Sequence, residues 1–152
     1  MRKNNVLKMM LCIVMLCVVS AFAASASAAS SSESEQFLQL INMERAKAGV
    51  SAVTIGSQNL NDAAQARAQE LTSRYSYVRP NGQREFTILS EYGVTDASVG
   101  EAYWAGTETP EETVAAWMSN DYFRACLLDG NVKNIGVGHY PVSYTHLTLP
   151  TT

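Results

Sequence analysis

Histidine and cysteine are scarce in this sequence of 152 residues, which restricts the chemistry that the chain can carry. The only histidines are His139 and His146, too few for a zinc site or a catalytic centre built from several histidines. Basic residues are also few, since 11 Lys and Arg face 14 Asp and Glu, whereas a nucleic-acid-binding protein would carry a basic patch. The hydrophobic content of 47% and charged content of 16% exclude disordered, collagen-like and coiled-coil chains. The length predicts one domain.

The first 28 residues have the pattern of a secretory signal peptide. Arg2, Lys3 and Lys8 make the start positive, an uncharged apolar run follows over 9–23, and small residues continue to Ala28. The apolar run is shorter than the roughly 20 residues that span a bilayer. We therefore predict cleavage near Ala28, with an uncleaved membrane anchor as the alternative, and a secreted or cell-wall-associated protein that does not span the membrane.

Cleavage at this point changes the cysteine count and the charge. It removes Cys12 and Cys17, and Cys126 alone cannot form an internal disulfide. It also removes three basic residues and no acidic residue, so that 8 Lys and Arg face 14 Asp and Glu, a net charge of −6. We therefore expect an acidic exported domain that depends on its hydrophobic core for stability.

The last twelve residues, 141–152, form a Thr-rich tail that we predict is not native. The string resembles the forward translation of a transposase-type sequencing adapter, and the alternative is an ordinary Thr-rich end. On the adapter interpretation the natural sequence stops at Tyr140. We therefore expect a domain over 37–140, preceded by a Ser/Glu-rich linker over 29–36.

Hydrophobic spacing and capping residues predict the secondary structure of this domain. The predicted helices cover 34–48, 58–75, 84–91, 110–120 and 121–128, and the predicted strands cover 99–104 and 134–140. Gly49 is placed to end the first helix, while Ser57 and Thr109 are placed to begin later ones. Gly136 and Gly138 share one face of the second strand, which indicates close approach of another backbone. Two strands are marginal without a third, so we expect one strand to be missing.

Several short motifs occur in order along the domain. They are Asn42-x-x-Arg45-x-x-x-Gly49, Leu60-x-x-Ala63-Ala64-x-x-Arg67-Ala68-x-Glu70-Leu71, Arg79-Pro80-Asn81-Gly82, Gly100-Glu101, Pro110-Glu111-x-x-Val114-x-x-Trp117, Arg124-Ala125 and Gly136-Val137-Gly138. The ordered set resembles the bacterial, disulfide-free branch of the CAP superfamily, which comprises the cysteine-rich secretory, antigen 5 and pathogenesis-related 1 proteins. The resemblance implies an α+β fold, an α-β-α sandwich with a small antiparallel sheet whose last strand is expected to be missing here.

The resemblance also implies a cavity that many members line with two histidines and two acidic residues, a set that can hold a divalent metal. At these positions the sequence has Tyr77, Glu101, Asn120 and Phe123, so one ionisable ligand remains. We predict no metal, no cofactor and no catalytic residue there. Tyr77 and Phe123 would make the cleft aromatic, either as a pocket for an apolar ligand or as plain core. Glu101 would either face this cavity or brace backbone amides.

The family's functions include sterol and lipid binding, host interaction and, less securely, proteolysis. We predict a secreted, non-catalytic binding module for an apolar small molecule or lipid, or for a protein of the cell envelope or of a host. Two alternatives stay open. One is a secreted hydrolase that uses Glu101, which could act as a base only if burial raised its pKa. The other is a purely structural or adhesive exported module.

Overall fold

The computed structural model describes residues 11–20, 29–95, 97–106 and 109–141. These residues form five helices and four strands. In chain order the elements are β1 Leu11–Ser20, α1 Ala29–Lys47, β2 Thr54–Ile55, α2 Gln58–Ser73, α3 Thr87–Glu91, β3 Ala97–Ala105, α4 Pro110–Ser119, α5 Asp121–Leu128 and β4 Val132–Pro141. The mixture of helices with one small sheet confirms the predicted α+β class. Among the described helices, none has both the length and the hydrophobicity needed to cross a membrane.

Local capping residues begin α2 and α4, and end α1, where the sequence predicts. The side chain of Ser57 accepts a hydrogen bond from the backbone amide of Leu60 at the start of α2. Thr109 does the same for Glu112 at the start of α4, where Pro110 occupies the first turn. Gly49 has φ of 71° just after α1. These boundaries depend on a few neighbouring residues, and so they are predictable from the sequence.

The first helix begins earlier than predicted. It starts at Ala29, so the segment over 29–36 that we expected to be a linker is helical. Oε2 of Glu33 lies 2.8 Å from Nδ1 of His139 on β4, which ties the first turns of α1 to the sheet. This contact joins residues 106 positions apart, so capping patterns in the local sequence give no sign of it.

The sheet is parallel, which corrects the expectation of an antiparallel sheet. Its strand order is β2-β4-β1-β3. β1 pairs in parallel with β3 on one side and with β4 on the other, and β2 pairs in parallel with β4. β3 and β4 are thus separated by the strand Leu11–Ser20, which comes from the predicted signal peptide. A continuous uncharged apolar run is typical both of a signal peptide and of a buried parallel strand, and periodicity alone does not separate the two.

Helices cover both faces of the sheet, as the resemblance implies for an α-β-α sandwich. On one face, α2 lies directly against β4. A Cβ atom added at Gly136 would be 2.7 Å from the carbonyl oxygen of Leu60, and one added at Gly138 would be 2.1 Å from that of Ala64. The helix backbone therefore occupies the space that larger residues would need, which confirms the prediction from the glycine pair.

The other face of the sheet carries the larger hydrophobic core, to which α1, α4 and α5 contribute. Phe37 and Trp117 are fully buried there, with ring centroids 5.7 Å apart. Arg45 is also fully buried in this layer. Its guanidinium donates to the carbonyl oxygens of Ser51 at 2.7 Å and Leu127 at 2.5 Å. A buried cation hydrogen-bonded in this way fixes α1 relative to the loop at Ser51 and to the last turn of α5.

Candidate functional site

Three segments converge at β3, the edge strand of the sheet, and form the candidate site. β3 contributes Glu101, the chain after α2 contributes Tyr77, and α5 contributes Phe123. The rings of Tyr77 and Phe123 both lie near the ring of Tyr103, with centroids 4.9 Å and 5.9 Å from it. The structure thus brings together three of the four positions singled out in the sequence.

The fourth position, Asn120, has a structural role at the start of α5. Its Oδ1 accepts hydrogen bonds from the backbone amides of Tyr122 at 3.0 Å and Phe123 at 3.2 Å. Its side chain is exposed to solvent. Asn120 therefore acts as the N-cap that positions Phe123 and does not line the site.

The carboxylate of Glu101 is fully buried and pairs with a buried arginine. Its Oε1 accepts a hydrogen bond of 2.8 Å from Nε of Arg67, and both side chains are inaccessible to solvent. Burial raises the pKa of Glu101 to about 7, although Arg67 opposes the shift. Glu101 is therefore part of the protein interior, where its carboxylate fixes the position of the Arg67 side chain.

Arg67 in turn fixes the backbone that presents Tyr77. Its Nη2 donates to the carbonyl oxygen of Ser76 at 2.5 Å. Glu70, one turn further along α2, accepts from Arg67 at 3.4 Å and from Arg79 at 2.8 Å. This chain of ion pairs clamps the segment after α2 from both sides of Tyr77, and the geometry of the site depends on it.

The aromatic rings pack on one another. Tyr75 and Tyr103 meet edge to face at 4.8 Å, and Tyr77 and Tyr122 meet at 6.2 Å with their planes at 75°. These spacings are typical of favourable aromatic pairs. Phe123 is buried in the core and Tyr77 packs against it half-buried. The pocket and core alternatives for these two positions stay predictions.

These residues do not fit a metal ion. Glu101 is engaged by Arg67, Phe123 has no donor atom, and Oδ1 of Asn120 is used by backbone amides. Burial raises the pKa of the Tyr77 phenol well above its ordinary value, which keeps it protonated. Across the part of the chain that the structure describes, no three His, Cys, Asp or Glu side chains come together in a group that could hold a metal.

Cys126 lies beside the aromatic rings as a free thiol of intermediate burial. Burial raises its pKa, partly offset by a hydrogen bond with Tyr122. A thiol in this environment stays protonated at neutral pH and is a weak nucleophile.

Three residues of this region were not recognised in the sequence as part of the site. They are Tyr75 in the loop after α2, Glu85 just before α3, and Tyr122 in α5. Glu85 is 4% exposed, and its charge contributes to the raised pKa values of Glu101 and Tyr103. A single acidic residue among polar neighbours carries no local signal of burial, so only the fold reveals it.

A separate groove lies between α1 and α4 and has a volume of about 420 Å³. Leu40 and Met43 line it from α1, while Val114, Ala115 and Met118 line it from α4. Glu44 and Glu111 also contribute to its lining. Met43 is 56% exposed, so apolar surface in this groove is open to solvent. The volume is within the range of about 300–1,000 Å³ that is typical of small-molecule sites.

Comparison with known proteins identifies the family. Residues 38–148 match the family model described as CAP, the cysteine-rich secretory protein family. The chain is also similar to the uncharacterized protein YkwD of Bacillus subtilis, with 30% identity over 107 residues. That match covers 69% of this chain and 41% of the relative, so the chain spans less than half of the relative's length. No solved structure matches the chain significantly.

Proposed function

The chain belongs to the CAP, or cysteine-rich secretory protein, family, and we propose that it is an exported, non-catalytic binding module for an apolar small molecule or lipid. CAP domains are typically secreted or extracellular, which supports the export part of this proposal. The observation that carries the binding part is the open apolar groove between α1 and α4.

The chemistry of the groove favours an apolar ligand. Its methionines, Met43 and Met118, are flexible and polarisable, and methionine is common at surfaces that adapt to different apolar partners. Each CH₂ group of a ligand that leaves water for such a surface contributes about 0.8 kcal/mol. The carboxylates of Glu44 and Glu111 would remain beside the polar end of the ligand.

A plugging variant tests this proposal. Ala115 is exposed and lines the groove, so Ala115→Trp should fill the groove without disturbing the core. We expect purified protein to carry an apolar ligand in native mass spectrometry, or to bind one from a lipid panel, and Ala115→Trp to bind it at least about tenfold more weakly. Ala125→Trp, at an exposed position on α5, is the matched control and should bind normally.

The opposite results would count against the proposal. If no ligand co-purifies and none of the lipids in the panel binds, the groove is not a binding site for apolar molecules. Equal binding by wild type and Ala115→Trp would place the ligand elsewhere. Capture of a cell-envelope or host protein without any small molecule would favour the structural or adhesive alternative.

One observation favours a second candidate, a hydrolase that uses Glu101. Burial raises the pKa of Glu101 to about 7, and a general base that works near neutral pH needs a pKa in this range. Its full burial and its pairing with Arg67 oppose contact with a substrate. The hydrolase predicts turnover of a peptide or cell-wall substrate that disappears in Glu101→Gln, and turnover that survives this substitution would exclude Glu101 as the working group.

A further inference from the structure

A second cavity, of about 450 Å³, lies between α2 and α3. Gln69, Thr72 and Ser73 line it from α2, Glu91 lines it from α3, and Tyr92 follows α3. Its volume is also within the range of about 300–1,000 Å³ that is typical of small-molecule sites. Polar and apolar groups both line this cavity, unlike the apolar groove between α1 and α4, so it calls for a different class of ligand.

The cavity is built around the guanidinium of Arg79, which is 3% exposed. Its Nε donates to Oε2 of Glu70 at 3.0 Å, and its Nη2 donates to Oε1 of Glu70 at 2.8 Å and to Oε2 of Glu91 at 2.9 Å. Its Nη1 donates to Oε1 of Glu91 at 2.6 Å and to Oγ1 of Thr87 at 2.9 Å. All five N–H groups of the guanidinium therefore have acceptors within the protein. An anionic ligand would meet two carboxylates at this cation, so the cavity disfavours anions.

The hydroxyl groups at the cavity also use their hydrogens within the protein. Oγ1 of Thr72 donates to the carbonyl oxygen of Gln69 at 2.8 Å, and Oγ of Ser73 donates to that of Glu70 at 2.8 Å. A hydroxyl has one hydrogen and two lone pairs, so both oxygens can still accept a hydrogen bond. The carboxylate of Glu91 is 47% exposed, and each of its oxygens has a further lone pair beyond the one that faces Arg79. These groups accept hydrogen bonds from a ligand and require a ligand that donates them.

This lining selects a neutral ligand with several hydroxyl groups. Because Glu70 and Glu91 already pair with Arg79, a cation would compete with a buried guanidinium for both carboxylates. Ile88 and the half-buried Tyr92 add apolar surface to the lining. A pyranose ring has hydroxyl groups that donate at its edge and C–H groups that form an apolar face, which suits both kinds of surface. We propose that the cavity between α2 and α3 binds a pyranose unit of a neutral oligosaccharide.

The proposal is tested by NMR titration of the isotope-labelled full chain with cellotriose, maltotriose and N,N′,N″-triacetylchitotriose. We expect at least one of them to give saturable shifts of the backbone amides over 69–73 and 88–92. Trigalacturonate, an anionic trisaccharide, and sorbitol, an acyclic polyol without a preformed ring face, should bind at least about tenfold more weakly. Because the ligand is neutral, its affinity should be equal in about 0.05 M and about 0.5 M NaCl.

Two variants with matched controls separate the shape of the cavity from its hydrogen bonds. Ala66→Leu places a larger side chain in the lining and should weaken binding about tenfold, whereas Ala125→Leu, at an exposed position on α5, should leave it unchanged. Thr72→Val keeps the shape, removes the hydroxyl acceptor and should weaken binding about two- to fivefold. Thr95→Val, at an exposed position after α3, is its control and should bind normally.

Three results would overturn the proposal. They are the absence of saturable binding by all three neutral trisaccharides, equal or tighter binding of trigalacturonate or sorbitol, and unchanged affinity in Ala66→Leu. If Ala66→Leu does not fold, Thr72→Val decides the matter, because unchanged affinity in that variant places the ligand outside this cavity. Failure here leaves the apolar groove between α1 and α4 unaffected, since the two cavities share no lining residue.

Discussion

The buried pair of Glu101 and Arg67 makes stability depend on pH in a direction opposite to that of most acidic residues. Burial raises the pKa of Glu101 from the ordinary 4.5 to about 7 in the folded chain. Between these values the folded chain holds a proton that the unfolded chain releases. The free energy of unfolding contributed by this group is therefore highest below about pH 4.5, falls as the pH rises to about 7, and is constant above that.

The size of the effect follows from the same pKa values. At roughly 1.4 kcal/mol for each tenfold change, the difference between 4.5 and about 7 corresponds to about 3 kcal/mol. Glu101→Gln removes the titration, while its amide oxygen can still accept the hydrogen bond from Arg67. Wild type should therefore lose about 3 kcal/mol more than Glu101→Gln between pH 4.5 and pH 7.5.

Urea unfolding measures this difference directly. Urea is uncharged, and the buried side chain of Trp117 provides a fluorescence signal for unfolding. Unfolding curves for wild type, Glu101→Gln and the exposed control Glu35→Gln at pH 4.5, 6.0 and 7.5 separate Glu101 from the other acids. Parallel pH profiles for wild type and Glu101→Gln would refute the reasoning, because the carboxylate would then carry no burial penalty.

Two further predictions concern the sheet. Gly138→Ala should destabilise the chain by about 3 kcal/mol or more, because the new Cβ atom would lie 2.1 Å from a backbone oxygen of α2. Gly130→Ala is the control: its new Cβ atom would have no other atom within 4 Å, so the substitution should cost less than about 0.5 kcal/mol. Thermal unfolding compares them, and equal values would contradict the close packing of α2 on β4. Removal of residues 1–28, as signal cleavage would do, should reduce hydrogen-exchange protection in β3 and β4, because both strands pair with β1. Unchanged protection would mean that β1 does not stabilise the sheet.

The helices and their ends were largely predictable because their signals are local. Ser57, Thr109 and Gly49 stand at the boundaries that the structure shows. The start of α1 at Ala29 was missed because the Ser/Glu-rich composition of 29–36 was interpreted as a linker. The predicted signal cleavage and the non-native tail stay predictions, and residues 142–152 lie outside the described part of the chain.

The N-terminal apolar run is compatible with two structures, a signal peptide and a buried strand. The apolar run near the N-terminus indicates a signal peptide, and the same run forms the strand between β3 and β4. Hydrophobicity predicts that such a segment is buried, but it does not specify which strands pair with it or whether they run parallel to it. The parallel arrangement therefore became known only from the structure.

The sequence alone indicated the family and most of the helix boundaries, and it has Tyr77 and Phe123 where the resemblance implies histidines. These properties depend on residue identity and short spacings. The tertiary structure decided that Glu101 is buried against Arg67, that Glu85 is buried, and that an apolar groove opens between α1 and α4. Burial, pKa and cavity shape depend on residues far apart in the chain, so only the folded arrangement specifies them.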